Sequence, residues 1–245
     1  MKLLLVDAGN TRIKWAIAAP GAALGDWEVS HAAPHLDLAD IAAAWRRAGI
    51  GRALVSNVAG IDVRERIAQA LPEAITVDWF ASTTERAGLV NGYRNPGQLG
   101  CDRFAAAIGA RALAPGRDLI VATCGTATTI DAVRADGRFI GGMILPGLAL
   151  MAASLARNTA QLPQVTPGAA PPPVFGDNTD DAIVSGILSA QAGAIERAYA
   201  AHGTTGATAC ILSGGAAPYI APALKVAHRL VDNIVLVGLH AAAGA

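Results

Sequence analysis

Two short segments combine glycine with small hydroxyl, amide and acidic residues in a way that suits a phosphate group. The first is Asp7-Ala8-Gly9-Asn10-Thr11-Arg12-Ile13-Lys14, and the second is Thr123-Cys124-Gly125-Thr126-Ala127-Thr128-Thr129. A turn of Gly with Asn or Thr directs several backbone N–H groups into one space, which makes a cradle for oxyanions. With the Asp7 carboxylate beside it, such a turn suits a polyphosphate carrying Mg²⁺, a hard cation that takes oxygen ligands and keeps several waters. The chemistry these residues point to is that of nucleotides.

Each turn needs a strand on either side to hold it. Leu3-Leu4-Leu5-Val6 enters the first, and Ile13, Trp15 and Ile17 leave it in an alternation that puts all three on one face. Leu119-Ile120-Val121-Ala122 enters the second, which begins close to the midpoint of the 245 residues. The expectation is a duplicated fold of two domains, residues 1–115 and 116–245. After the first hairpin, the pattern predicts a third strand over 26–30, a helix over 36–48, a strand over 53–57, a helix over 63–71 and a strand over 74–77. The alternation is that of a layered α/β domain. Residues 82–99 are polar and rich in turn formers, and lead into an Ala-rich helix near Cys101. In the second half, a strand over 138–144, a helix over 147–157, a long helix over 180–201, a strand over 209–213 and closing helices are expected. The Pro-rich stretch 162–174 reads as a surface loop.

Composition limits the partners. The chain is 53% hydrophobic, 16% charged and 4% aromatic, which gives a large core of Ala, Val, Leu and Ile. Lys plus Arg and Asp plus Glu both number 19, so net charge draws the protein neither to nucleic acid nor to an anionic membrane. Cys101, Cys124 and Cys210 form no CxxC pair, as suits a reducing, cytoplasmic setting. The N-terminal apolar run stops at Asp7, too short for the core of a secretory signal. Residues 139–156 carry no charge, but Gly141-Gly142 and Pro146-Gly147 break them into a strand, a turn and a buried helix rather than a membrane span. His31, His35, His202, His228 and His240 show no metal-ligand spacing.

Further motifs follow in order: Tyr93, then Gly100-Cys101-Asp102-Arg103, Gly141-Gly142-x-Ile144-x-Pro146-Gly147, Asn178-Thr179 and Ser213-Gly214-Gly215. With the two turns, and in this spacing, they make the chain resemble the type III pantothenate kinases over nearly its whole length. These belong to the acetate and sugar kinase, heat-shock and actin superfamily. The resemblance implies an α/β fold of duplicated actin-like, ribonuclease H-like domains, each a mixed sheet with flanking helices. It implies a homodimer that moves the γ-phosphate of ATP to the primary hydroxyl of pantothenate, the first step toward coenzyme A.

The resemblance also assigns roles. Asp7 holds Mg²⁺, mostly through water, while Ala8, Gly9, Asn10, Thr11, Arg12, Ile13 and Lys14 bind ATP, with Thr126 as a second phosphate contact. Asp102 is the base that orients the acceptor hydroxyl and takes its proton late, as a loose phosphoryl-transfer transition state allows. Arg103 supplies charge for the pantothenate carboxylate, and Tyr93, Gly100, Cys101 and Thr179 complete that pocket. Taken singly, Asp102 reads as a helix N-terminal carboxylate, Arg103 as a surface residue and Thr179 as a helix cap. Cys101 and Cys124 need no catalytic role, because phosphoryl transfer to an alcohol uses no thiol.

One position departs from the family pattern. Thr123 stands where an aspartate usually binds a monovalent cation, K⁺ or NH₄⁺. A neutral hydroxyl removes most of the attraction, so either activation by the cation is weak or absent, or other oxygens hold the ion. Two competing readings remain at this stage: another phosphotransferase or phosphohydrolase of the same fold, and a non-catalytic regulatory accessory protein.

Overall fold

In the computed structural model, which describes residues 1–34, 38–166, 170–202 and 208–244, the first hairpin is β1 (Lys2–Ala8) and β2 (Arg12–Ala18). They are followed by β3 (Val29–Pro34), α1 (Leu38–Arg47), β4 (Ile50–Asn57), α2 (Ile61–Ala70), β5 (Thr76–Phe80), β6 (Glu85–Arg86), β7 (Leu89–Asn91) and α3 (Cys101–Leu113). The first sheet has the order β3-β2-β1-β4-β5, antiparallel across β3, β2 and β1 and parallel across β1, β4 and β5. Strand alternation sorts its side chains. Leu4, Val6, Ala8, Ile13, Trp15, Ile17, Ala53 and Val55 pack in one cluster with Leu38, Ile41 and Trp45 of α1 and Val63 and Ile67 of α2. The alternate positions, including Leu5, Asp7, Leu54 and Ser56, belong to the other face, where α3 packs on β4.

The second hairpin is β8 (Leu119–Cys124) and β9 (Ala127–Val133), followed by β10 (Arg138–Pro146), α4 (Leu148–Asn158), α5 (Thr179–His202), β11 (Ala209–Ser213), α6 (Ala217–Ile220) and β12 (His228–Leu230). Within this half the strands run β10-β9-β8-β11-β12, part of a seven-stranded sheet, with the same mixture of antiparallel and parallel pairs. Numbered within each half, both orders read 3-2-1-4-5, so the duplication expected from the two turns extends to the topology. One face of this sheet, with Ile120, Ala122 and Cys124, packs against Ile183, Ile187 and Leu188 of α5.

The chain divides into two compact units, Met1–Leu113 with Asn233–Ala245, and Ala114–Asp232. The expected division put the C-terminal segment with the second half, whereas α7 (Ile234–Ala243) packs on α3 in the first unit. The helices approach closely because Gly238 has no side chain: a Cβ there would overlap the Ala105 carbonyl. Periodicity within a segment carries no information about such a return.

Several element boundaries differ from expectation. The third strand lies at Val29–Pro34 rather than 26–30, because Asp26 N–H bonds Ala23 O in a turn and pairing with β2 starts only after it. The strand expected over 74–77 is β5 at Thr76–Phe80. Residues 82–99 hold β6, β7 and a short 3₁₀ turn at Pro96–Gln98. Gly141-Gly142 does not interrupt β10; the strand absorbs it as an irregularity in register between Phe139 and Gly141. α4 buries Leu148 and Ala152 but exposes Leu150, so it is half-buried rather than core. β12 was not expected at all, being three exposed residues on a sheet edge. Residues 36–37 of the predicted first helix, His35, and Pro167 in the Pro-rich stretch lie outside the described residues. Among the described residues, no helix is long and apolar enough to cross a membrane.

Candidate active site

Asp7 lies one residue before the end of β1, the central strand of the first sheet, in register with Lys14 on β2 and Ser56 on β4. The turn beyond it is closed by Gly9 N–H donating to Arg12 O at 3.1 Å. Asp7 is only 8% exposed. Burial pushes its carboxyl up to about 7; the Lys14 ammonium opposes the rise, and the charge of Asp102 adds to it. The structure therefore brings the two carboxylates singled out in the sequence into one electrostatic neighbourhood.

Asp102 arrives there on the first turn of α3. Phe104 N–H donates to Gly100 O at 3.0 Å, which starts the helix, and Asp102 Oδ1 accepts from Arg103 N–H at 2.8 Å. Gly100 leaves room for that carboxylate, since a Cβ would lie 2.7 Å from Oδ1. Burial raises the Asp102 pKa, partly offset by the Arg103 N–H and the Arg103 charge. Arg103 is not the surface residue that helix composition alone would suggest: it is 6% exposed, and Nη1 donates to the Tyr93 hydroxyl at 2.9 Å. The structure thus joins Tyr93, Asp102 and Arg103.

Two polar residues that support this arrangement were missed in the sequence. Asn91 is buried; its Oδ1 accepts from Tyr93 N–H at 3.0 Å, and its Nδ2 donates to the carbonyls of Thr83 and Pro96, both at 3.1 Å. It folds the turn-rich segment around itself and fixes Tyr93. Asn-Gly in the sequence signals a turn but not a buried amide with three partners. Ser56 is the second, with Oγ 3.3 Å from Cys101 Sγ. The Cys101 thiol also donates to Asn57 O at 3.5 Å, so it is engaged with β4, and burial raises its pKa.

The second unit holds its own turn by backbone bonds. Gly125 N–H donates to Ala127 O at 3.0 Å, Gly147 N–H to Thr126 O at 2.9 Å and Ala216 N–H to Cys124 O at 3.1 Å. Thr123 occupies the place that Asp7 has in the first unit, and its register neighbours are Thr129 and Ser213. Those are three neutral hydroxyls, where the first sheet has Lys14, Asp7 and Ser56. The set does not supply the carboxylate a monovalent cation would use at position 123, although Asp131 is buried further along β9. Cys124 is buried, with its thiol pushed up to about 11, which suits packing and not nucleophilic chemistry. Thr179 is the first residue of α5 but does not provide the cap bond: Asn178 Oδ1 accepts from Asp181 N–H at 2.9 Å.

A family model described as type III pantothenate kinase matches residues 3–201. The chain belongs to the type III pantothenate kinase family. It is 57% identical to the type III pantothenate kinase of Herminiimonas arsenicoxydans over 250 residues, covering 98% of this chain and 97% of that protein. Among solved structures, the fold resembles a Campylobacter jejuni protein described as a Baf family transcriptional activator, with a TM-score of 0.63 at 18% identity over 97% and 95% of the two chains. It also resembles a glucokinase from an Antarctic psychrotroph, with a TM-score of 0.52 at 14% identity over 100% and 99%. At these identities the two structures speak for the fold alone, an actin-like one as expected for this family.

Among the described residues, no three His, Cys, Asp or Glu side chains are grouped to hold a metal. Mg²⁺ keeps its water and is held through one or two carboxylates together with substrate phosphates, and Asp7 is a buried carboxylate at a turn whose own burial disfavours its charge.

Proposed function

We infer that this protein phosphorylates pantothenate with ATP to give 4′-phosphopantothenate, the first step of coenzyme A biosynthesis. The observation that carries the mechanism is the delivery of Asp102, on the first turn of α3, to the neighbourhood of Asp7 at the phosphate turn. In this reading, Gly9 to Lys14 cradle the ATP phosphates, and Thr126 is a further candidate for binding phosphate. Asp7 would hold Mg²⁺ through water, and the ion would neutralise charge on the phosphates when bound.

Asp102 receives the primary hydroxyl of pantothenate. A carboxylate cannot deprotonate an alcohol beforehand, so Asp102 orients it and accepts the proton as the bond to phosphorus forms. Its burial raises its proton affinity and so favours that late transfer. Arg103 pairs with the substrate carboxylate and Tyr93 fixes the guanidinium that does so. Gly100 and Cys101 support Asp102 rather than touching the reacting atoms. Position 123 supplies a neutral hydroxyl and no charge for K⁺ or NH₄⁺. The enzyme is expected to act as a homodimer in the cytoplasm.

The test is to incubate purified protein with ATP, Mg²⁺ and pantothenate and to identify the product by mass spectrometry. Formation of 4′-phosphopantothenate and ADP supports the reading. Turnover of another alcohol or of polyphosphate, with pantothenate untouched, contradicts it.

A further inference from the structure

We propose that Ser56 and Cys101 form a positioning latch that fixes the start of α3 to the end of β4 and so sets where Asp102 stands relative to Asp7. The proposal rests on the roles given above to Asp7 and Asp102. Parallel pairing of β1 and β4 puts Ser56 beside Asp7, and Ser56 is fully buried. A buried hydroxyl without a partner is costly, and Cys101 Sγ at 3.3 Å is the partner provided.

The donor directions are determined. The Asn57 carbonyl can only accept, so the thiol donates to it at 3.5 Å, leaving the Ser56 hydroxyl to donate to sulfur. Asn57 is itself fixed: Nδ2 donates to Gly60 O at 2.8 Å and Oδ1 accepts from Ala59 N–H at 3.0 Å. Val58 N–H then donates to Ala8 O at 3.0 Å, one residue beyond Asp7. A continuous set of bonds thus runs from the end of β1 through β4 to Cys101, and Asp102 follows one peptide later.

Bonds to sulfur are weak, so the latch acts through position. A misplacement of about 1 Å in reacting groups can cost on the order of a hundredfold in rate. In this proposal Ser56 and Cys101 act as positioning residues, through where they hold Asp102.

The experiment compares wild type, Ser56→Ala, Cys101→Ala, the double variant and Cys101→Ser by steady-state kinetics and by hydrogen exchange of the first amides of α3. Each alanine variant is expected to lower kcat roughly tenfold while both KM values change less than about twofold. The double variant should be no slower than the slower single variant, because the two side chains form one interaction. Cys101→Ser, which keeps a donor, should recover most of the loss. Exchange at the start of α3 should speed up in the alanine variants and not in Cys101→Ser. Unchanged kcat, additive losses, a loss confined to KM, or a serine variant as slow as alanine would each overturn the latch. A wild-type protein inactive on pantothenate would instead overturn the functional reading, and the exchange rates would then decide the latch by themselves.

Discussion

Asp7 shows how function is set against stability at a single residue. Its folded-state pKa of about 7 stands above the ordinary 3.8, so the unfolded chain releases this proton first as pH rises. Between those values the folded state binds more protons, and stability falls with pH; three units correspond to about 4 kcal/mol. Asp7→Asn is therefore expected to melt higher than wild type in the absence of Mg²⁺, by a margin that grows from pH 5 to 7 and then levels, while losing activity. A constant margin across that range, measured by thermal melts, would count against the buried charge. Thr123→Asp restores a carboxylate in the second turn and should make the rate depend more on K⁺ than it does in wild type, read from activity in K⁺ and Na⁺ buffers. Asp7, Asp102 and Arg103 were legible in the sequence because each lies inside a contiguous motif. Ser56 and Asn91 were not, because a lone Ser on a strand and an Asn at the end of a short strand gain their roles only from register and from carbonyls up to eight residues away.

At the scale of elements, the loop carrying Tyr93 depends on a single buried amide. Asn91→Ala removes an acceptor for Tyr93 N–H and two donors for carbonyls. It is expected to raise KM for pantothenate severalfold with little effect on KM for ATP, which steady-state kinetics with each substrate varied would check. The α3–α7 crossing makes a second prediction. Because a Cβ on Gly238 would overlap the Ala105 carbonyl, Gly238→Ala should destabilise the first unit by about 1–3 kcal/mol, as overpacking does, measured by denaturant unfolding. The alternating strands β1 and β2 and the helices α1, α2, α4 and α5 were close to expectation. The failures were short edge pieces such as β12, whose residues carry no buried face.

At the scale of the whole molecule, the repeated order 3-2-1-4-5 explains why two similar hairpins occur in one chain and why they have diverged. Both units close a turn with a glycine N–H, but only the first places a carboxylate at the matching position on its central strand. The duplication was readable from the two turns; the return of α7 to the first unit was not, since the pairing of Gly238 with α3 spans residues far apart in sequence. The homodimer expected from the family predicts a solution mass of twice 24.8 kDa, to be read by light scattering.

The most direct measurement concerns Asp102→Asn, compared with wild type for kcat and for ATP binding. General-base assistance contributes on the order of 10²–10⁴-fold, so kcat should fall by about that factor while ATP binds with nearly its wild-type affinity. A variant that phosphorylates pantothenate at close to the wild-type rate would contradict the central claim that α3 delivers the base to the phosphate turn.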